Sequence, residues 1–159
     1  MSGFSTSLDN QILNSVFNGA PFTTPVKYLA LFCGSEGLDT NTQSSWAALE
    51  VPKTITKNGA TLSTAYTRLY LPNSSFSTPE NSSTSNIDRI EFPIANTDWG
   101  TVTHIAIMSA EVDGNVLLWG PLRNPANTEN YPRTIYEGDQ FVIREGTLVF
   151  NLKDDTTIV

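Results

Sequence analysis

Acid–base or nucleophilic chemistry near neutral pH needs side chains that can hold a proton or an electron pair there, and this chain has one histidine, His104, and one cysteine, Cys33. Histidine is the side chain whose unperturbed pKa falls in that range, so His104 is the candidate general base. A nucleophile would be Cys33 or a serine held against the imidazole. Neither stands in a supporting pattern: no nucleophile elbow, phosphate-cradling glycine loop or His-Glu-x-x-His helix occurs. His104 opens the apolar run Ile105-Ala106-Ile107 and Cys33 ends the run Tyr28-Leu29-Ala30-Leu31-Phe32, settings that suit a structural histidine and a small buried thiol. One cysteine with one histidine excludes an internal disulfide and the Cys/His zinc sets. Asp39, Asp88, Asp98, Asp113, Asp139, Asp154 and Asp155 are scattered over turns, without the alternating oxygen ligands of a calcium loop. No two carboxylates stand out as a glycosidase pair. The residues therefore assign no catalytic role, no metal site and no cofactor.

Aromatic side chains are the remaining candidates, since Trp and Tyr build both sugar-stacking platforms and protein interfaces. Trp119 lies in an apolar run and reads as core. Trp99 sits in the turn Asn96-Thr97-Asp98-Trp99-Gly100, where exposure is expected, and it heads the interface candidates together with Tyr131 and Trp46.

The elements that must position these residues are mostly strands. Ser and Thr make up about a fifth of the chain and long Ala/Glu/Lys/Leu stretches are missing, a balance that favours strands and turns. The exception is residues 8–18, where Leu8, Ile12, Leu13, Val16 and Phe17 recur at helical spacing between Ser7, the expected N-cap, and Gly19. Leu8, Ile12 and Phe17 are its candidate apolar anchors on a neighbouring subunit, and a helix that simply caps one open end of a β-sandwich fits equally well. Strands are expected at 26–33, 66–71, 87–92, 101–110, 116–119, 141–145 and 147–152. In 101–110, Val102, His104, Ala106 and Met108 should share one face and Thr103, Ile105 and Ile107 the other. Asp113-Gly114 predicts a tight hairpin into Val116-Leu117-Leu118-Trp119. Residues 46–51 fit a short helix or an edge strand equally. Residues 72–86, with eight Ser or Thr in fifteen positions, read as a solvent loop, and 121–132 as another. Strands at this spacing imply an all-β, single-domain antiparallel β-sandwich or jelly roll with one short N-terminal helix. Its parts would be an N-terminal arm over 1–25 and a β-sandwich over 26–159.

Length and charge bound the partners. A chain of 159 residues is the size of one domain, and nine Lys plus Arg against sixteen Asp plus Glu give a net charge of −7. No basic cluster suits several phosphates or an anionic membrane, so nucleic acid and membrane are not expected partners. The N-terminus has no basic, apolar leader, and no stretch approaches the roughly 18 apolar residues of a membrane span. A soluble protein without a visible export signal is the expectation.

Several blocks resemble a family of small tailed-bacteriophage proteins commonly labelled tail-fibre or minor virion proteins. They are Ile90-Glu91-Phe92-Pro93, Asp98-Trp99-Gly100-Thr101-Val102-Thr103-His104-Ile105-Ala106-Ile107 and Gly114-Asn115-Val116-Leu117-Leu118-Trp119-Gly120-Pro121-Leu122. Leu8-Asp9-Asn10, Phe22-Thr23-Thr24-Pro25, Tyr28 to Phe32, Tyr66-Thr67-Arg68, Glu137 to Phe141 and Gly146-Thr147-Leu148 extend the likeness over nearly the whole chain. The polar stretches 34–45, 72–86 and 121–134 are longer than in the shorter members. The resemblance implies a virion structural protein without catalytic residues, assembled in the host bacterial cytoplasm.

Three functions fit. A fibre subunit usually shows a repetitive shaft or a coiled segment, and this chain has neither. That favours a capsid decoration (cement) subunit, a homo-oligomer and most simply a trimer, held by the major capsid protein. The alternative is a tail-tip, baseplate or tail-fibre-associated subunit contacting tail components. The third is a host-glycan-binding module using Trp99, Tyr131 or Trp46.

Overall fold

Tyr28-Leu29-Ala30-Leu31-Phe32 is apolar at successive positions because the strand it forms is covered on both faces, the situation in which alternation disappears. Leu29 and Leu31 enter one core cluster, Ala30 and Phe32 a second on the opposite face. The computed structural model describes residues 3–152, leaving Asp154 and Asp155 outside the described residues. Among the described residues two α-helices, α1 (Thr6–Asn18) and α2 (Gln43–Trp46), and a 3-10 turn at Asn73–Ser75 accompany the strands. The first six strands are β1 (Gly3–Phe4), β2 (Tyr28–Phe32), β3 (Thr54–Lys57), β4 (Ala60–Ser63), β5 (Leu69–Tyr70) and β6 (Ser83–Ser85). They are followed by β7 (Ile90–Ile94), β8 (Gly100–Val102), β9 (His104–Met108) and β10 (Val116–Pro121). The last are β11 (Arg133–Ile135), β12 (Gln140–Ile143) and β13 (Val149–Asn151).

A five-stranded sheet of order β1-β10-β9-β2-β5 forms the centre, and β11-β8, β12-β7, β13-β6 and β3-β4 are separate two-stranded pairs. Every strand pairing is antiparallel. The all-β class with one N-terminal helix is what the composition implies. The larger cluster joins Leu29, Leu31 and Ile107 of the sheet to Phe92, Val102, Ile135 and Ile143 of the outer pairs, so a core lies between two β layers. The smaller cluster packs Leu38 and Trp46 onto Phe32, Met108, Val116 and Trp119 on the far face.

The helix begins earlier than its apolar spacing suggests. Ser5, not Ser7, is the N-cap, its side chain accepting from the Leu8 N–H, and Gly19 closes the helix at φ 67. The chain before α1 is stitched into the sheet, Gly3 pairing with Trp119 and Phe4 with Leu118, while the Ser5 N–H donates to the Leu117 carbonyl (2.8 Å).

Other expectations are corrected by hydrogen bonding. The run 101–110 breaks at Thr103, whose N–H donates to the Phe32 carbonyl (2.9 Å). Val102 thereby joins the same cluster as Ile105 and Ile107 instead of lying with Ala106 and Met108. β9 and β10 form the expected hairpin, but through residues 109–115, not a two-residue turn; Asp113 and Gly114 take φ 53 and 75 within it. Strand pairing over 66–71 is confined to β5, because the Tyr66 hydroxyl takes the Leu31 N–H (3.0 Å) and Leu49 to Val51 occupies the rest of that β2 edge. Residues 46–51 are thus both things at once, the end of α2 and then an edge bridge of Glu50 to Phe32. β7 runs through Pro93 to Ile94, past the expected end at 92, and β12 and β13 pair with β7 and β6. The 72–86 segment is a solvent loop only in its first part. Asn86 is 2% exposed; its amide donates to the Asp88 and Arg144 carbonyls (2.8 and 2.9 Å) and its Oδ1 accepts from the Leu148 N–H (2.8 Å).

Candidate functional site

His104 opens β9, half-buried, with Nδ1 2.8 Å from the Thr103 hydroxyl and its ring 5.9 Å from that of Trp119. Burial pushes its pKa down. Because the folded state then binds the proton less readily than the unfolded chain, His104 contributes stability that is present above the unfolded value near 6.5 and is lost as pH falls below it. Denaturant melts at pH 7.5 and 5.5 should therefore show a larger acid loss in wild type than in His104→Gln; equal losses would remove this account.

Cys33 is exposed, not the buried small hydrophobe its position predicts. Its thiol lies 3.8 Å from the Trp99 carbonyl, and partial desolvation pushes its pKa up, which keeps the reactive thiolate scarce. Among the described residues no group of three or more His, Cys, Asp or Glu is arranged to hold a metal.

The strongest concentration of polar chemistry is one that sequence reasoning missed. Arg68 is buried, and it meets Glu50 in a fork, Nε to Oε1 at 2.8 Å and Nη2 to Oε2 at 2.6 Å. Its Nη1 donates to the Ala110 and Asp113 carbonyls of the β9–β10 loop (2.8 and 2.7 Å), and its guanidinium lies 5.6 Å from the Trp46 ring. The Tyr66 hydroxyl donates to Glu50 (3.0 Å). Burial, then the neighbouring Glu50 charge, pushes the Tyr66 pKa well up, so this hydroxyl keeps its proton. With its donors engaged inside the fold, the guanidinium is a clamp on the loop rather than a group awaiting a ligand.

The six interface candidates divide. Leu8, Trp46 and Trp99 are buried in the chain's own core, at 5%, 1% and 2% exposure, which leaves them little surface to present to a partner. Trp99 leaves the turn inward: its ring packs edge-on to Tyr66 and Phe92, and its indole N–H donates to the Thr64 carbonyl (2.8 Å). Trp46 packs edge-on to Phe32. Ile12 is half-buried against the larger cluster. Phe17 and Tyr131 are exposed, the latter with the Arg133 guanidinium 3.7 Å from its ring centre. The structure therefore does not assemble the six into one patch.

It offers another instead. Leu8 and Ile12 turn α1 inward, while Leu13, Val16 and Phe17, at spacing i, i+3 and i+4, stand 53–77% exposed on the outer side. Farther along the chain, Phe22 and Val26 are exposed as well. The helical periodicity made these residues visible; which side of a two-sided stripe is covered is a tertiary matter. A second unforeseen feature is the β3–β4 hairpin, whose turn residues Asn58 and Gly59 adopt φ 52 and 78. An Asn-Gly pair at two positive φ values is the signal of a two-residue hairpin turn, and it is readable in the sequence.

Residues 3–151 match the sequence model of the family described as Podophage GP4 fiber I protein gp80. No curated protein matches the chain.

Proposed function

This chain belongs to the Podophage GP4 fiber I protein gp80 family, a family of fibre-type virion proteins, and from that premise we propose that it is a non-enzymatic subunit of the tail-fibre assembly. The match over residues 3–151 carries the reading. Its mechanism is structural: a rigid β body presents apolar surface to neighbouring virion proteins. The exposed Leu13, Val16 and Phe17 supply such surface, since grouped large apolar residues on a soluble protein ordinarily mark a contact. A compact two-layer body suits a connector or basal subunit better than a shaft.

A second reading, capsid decoration, rests on the same compactness and the lack of a shaft-like repeat; the family's fibre description favours the tail. Host-glycan binding has less support, because two of its three aromatics, Trp46 and Trp99, are core residues.

Cryo-electron microscopy of particles, with the protein marked by a specific antibody fragment, tests the location. Density at the tail is expected; density in many copies over the capsid would overturn the fibre reading in favour of decoration. A matched Phe17→Ser variant should melt within about 0.5 kcal/mol of wild type, as exposed positions do, yet enter particles poorly. Normal incorporation would remove α1 from the contact.

A further inference from the structure

We propose that the β3–β4 hairpin is the arm by which one copy of this chain docks on a second copy. The inference deepens the fibre-subunit reading, which supplies the setting in which copies meet. Seven of the eight ladder residues of β3 and β4 are exposed and only Ile55 is half-buried. Ile55 and Leu62 face each other across the strands, yet neither joins either core cluster. A lone two-stranded hairpin is marginally stable in water at best, and stability comes from a third strand or a packed face.

The arm is firmly rooted. Thr64 is fully buried; its N–H donates to the Lys53 carbonyl (3.0 Å) and its hydroxyl to the Pro52 carbonyl (2.6 Å). Its own carbonyl accepts from the Asn96 N–H (3.1 Å) and the Trp99 indole (2.8 Å). A rooted base with an unpacked blade is the form of an element that completes its packing on another molecule.

Charge selects a second copy as the occupant. Residues 51–67 contain Lys53 and Lys57 and no acid, whereas all sixteen carboxylates and seven of the nine Lys and Arg lie elsewhere. Two ion pairs form among the described residues, Arg68–Glu50 and Arg89–Glu91, and neither uses these lysines. The rest of the chain provides a matching surface beside the root. There the Glu137 N–H donates to Asp98 Oδ1 (2.9 Å) and the Ala95 N–H to the Asp139 carbonyl (2.9 Å), which brings Asp98, Glu137 and Asp139 together, all exposed. Ile94 and Tyr136, 57% and 60% exposed, add apolar area to this acidic surface. Ile55 and Leu62 flanked by lysines meet Ile94 and Tyr136 flanked by carboxylates. Because the two surfaces are different, the contact is head-to-tail and generates a ring when its rotation closes.

Sedimentation equilibrium of the full chain at low and high salt tests this. Wild type should be an oligomer whose association weakens with salt. Lys53→Glu/Lys57→Glu should weaken association at least about tenfold, and Asp98→Lys/Glu137→Lys in the same chain should restore it. Leu62→Asp should give a monomer with an unchanged far-UV spectrum. A monomeric wild type, or an oligomer that survives both the lysine reversal and Leu62→Asp, would overturn the proposal. These masses are read in solution, so a capsid location on the particle would overturn the fibre reading and leave this result standing.

Discussion

Replacing Arg68 by methionine is expected to lower stability by about 3–5 kcal/mol, the usual consequence of removing one partner from a buried ion pair. The side chain is 2% exposed and that of Glu50 14%. Without the guanidinium, the Glu50 carboxylate keeps only the Tyr66 hydroxyl, and the Ala110 and Asp113 carbonyls lose a donor that, beside Asn41 and Gln43, ties the β9–β10 loop to the body. A loss of that size is a large fraction of the roughly 5–15 kcal/mol that holds a domain folded. Urea denaturation should show the midpoint falling with the slope unchanged. The double variant Arg68→Met/Glu50→Leu should recover part of the loss, because exchanging both members of a buried pair removes the stranded charge. Full recovery is not expected, since the two loop carbonyls still lack the guanidinium donor and the Tyr66 hydroxyl loses its Glu50 acceptor, keeping only the Leu31 N–H. A single-variant loss below about 1 kcal/mol would mean that water or local rearrangement replaces the clamp, and the loop would not depend on it.

The same clamp shows why part of this protein was legible in its sequence and part was not. β2 and the β9–β10 hairpin were visible because burial on one or both faces imposes apolar patterns that short windows detect, and α1 was visible through its 3.6-residue period. Glu50 and Arg68 are eighteen positions apart, and each looks like an ordinary surface charge. Only the fold reveals that they are buried together. Asn86 carries the same lesson: at the end of a Ser/Thr-rich stretch it resembles loop filler, while its amide bonds residues 88, 144 and 148. The β3–β4 arm has a clear turn signal in Asn58-Gly59, but its strands are largely Thr, Lys and Ser, and Ile55 and Leu62 are too few large apolar residues to make their alternation stand out. Pattern methods read burial, and an arm packed on nothing within its own chain has little of it to read.

Trp99→Ala is the second large expected effect, about 3–5 kcal/mol, and it separates a core role from an interface role. A turn fixes where the backbone goes but not the direction of its side chains, which is why the sequence placed this indole outside. In the structure the ring is enclosed, edge-on to Tyr66 at 5.5 Å and to Phe92 at 6.4 Å, and its N–H reaches the carbonyl of Thr64 at the root of the β3–β4 arm. Alanine therefore opens a cavity between the two β layers and loosens the arm's base. Phenylalanine fills most of that volume, and the Thr64 carbonyl keeps the Asn96 N–H as a donor, so Trp99→Phe should lose only about 1 kcal/mol. Thermal melts at a protein concentration where the chain is monomeric, alongside the oligomer mass at higher concentration, distinguish the roles. A core residue lowers the monomer's melting temperature strongly in the alanine variant and slightly in the phenylalanine variant. An interface residue would leave both monomer melts unchanged and alter only the mass. Should Trp99→Ala also weaken association, the phenylalanine variant identifies the cause: retained association shows that the cavity acts through the arm's root, because Trp99 itself has almost no surface to offer a partner.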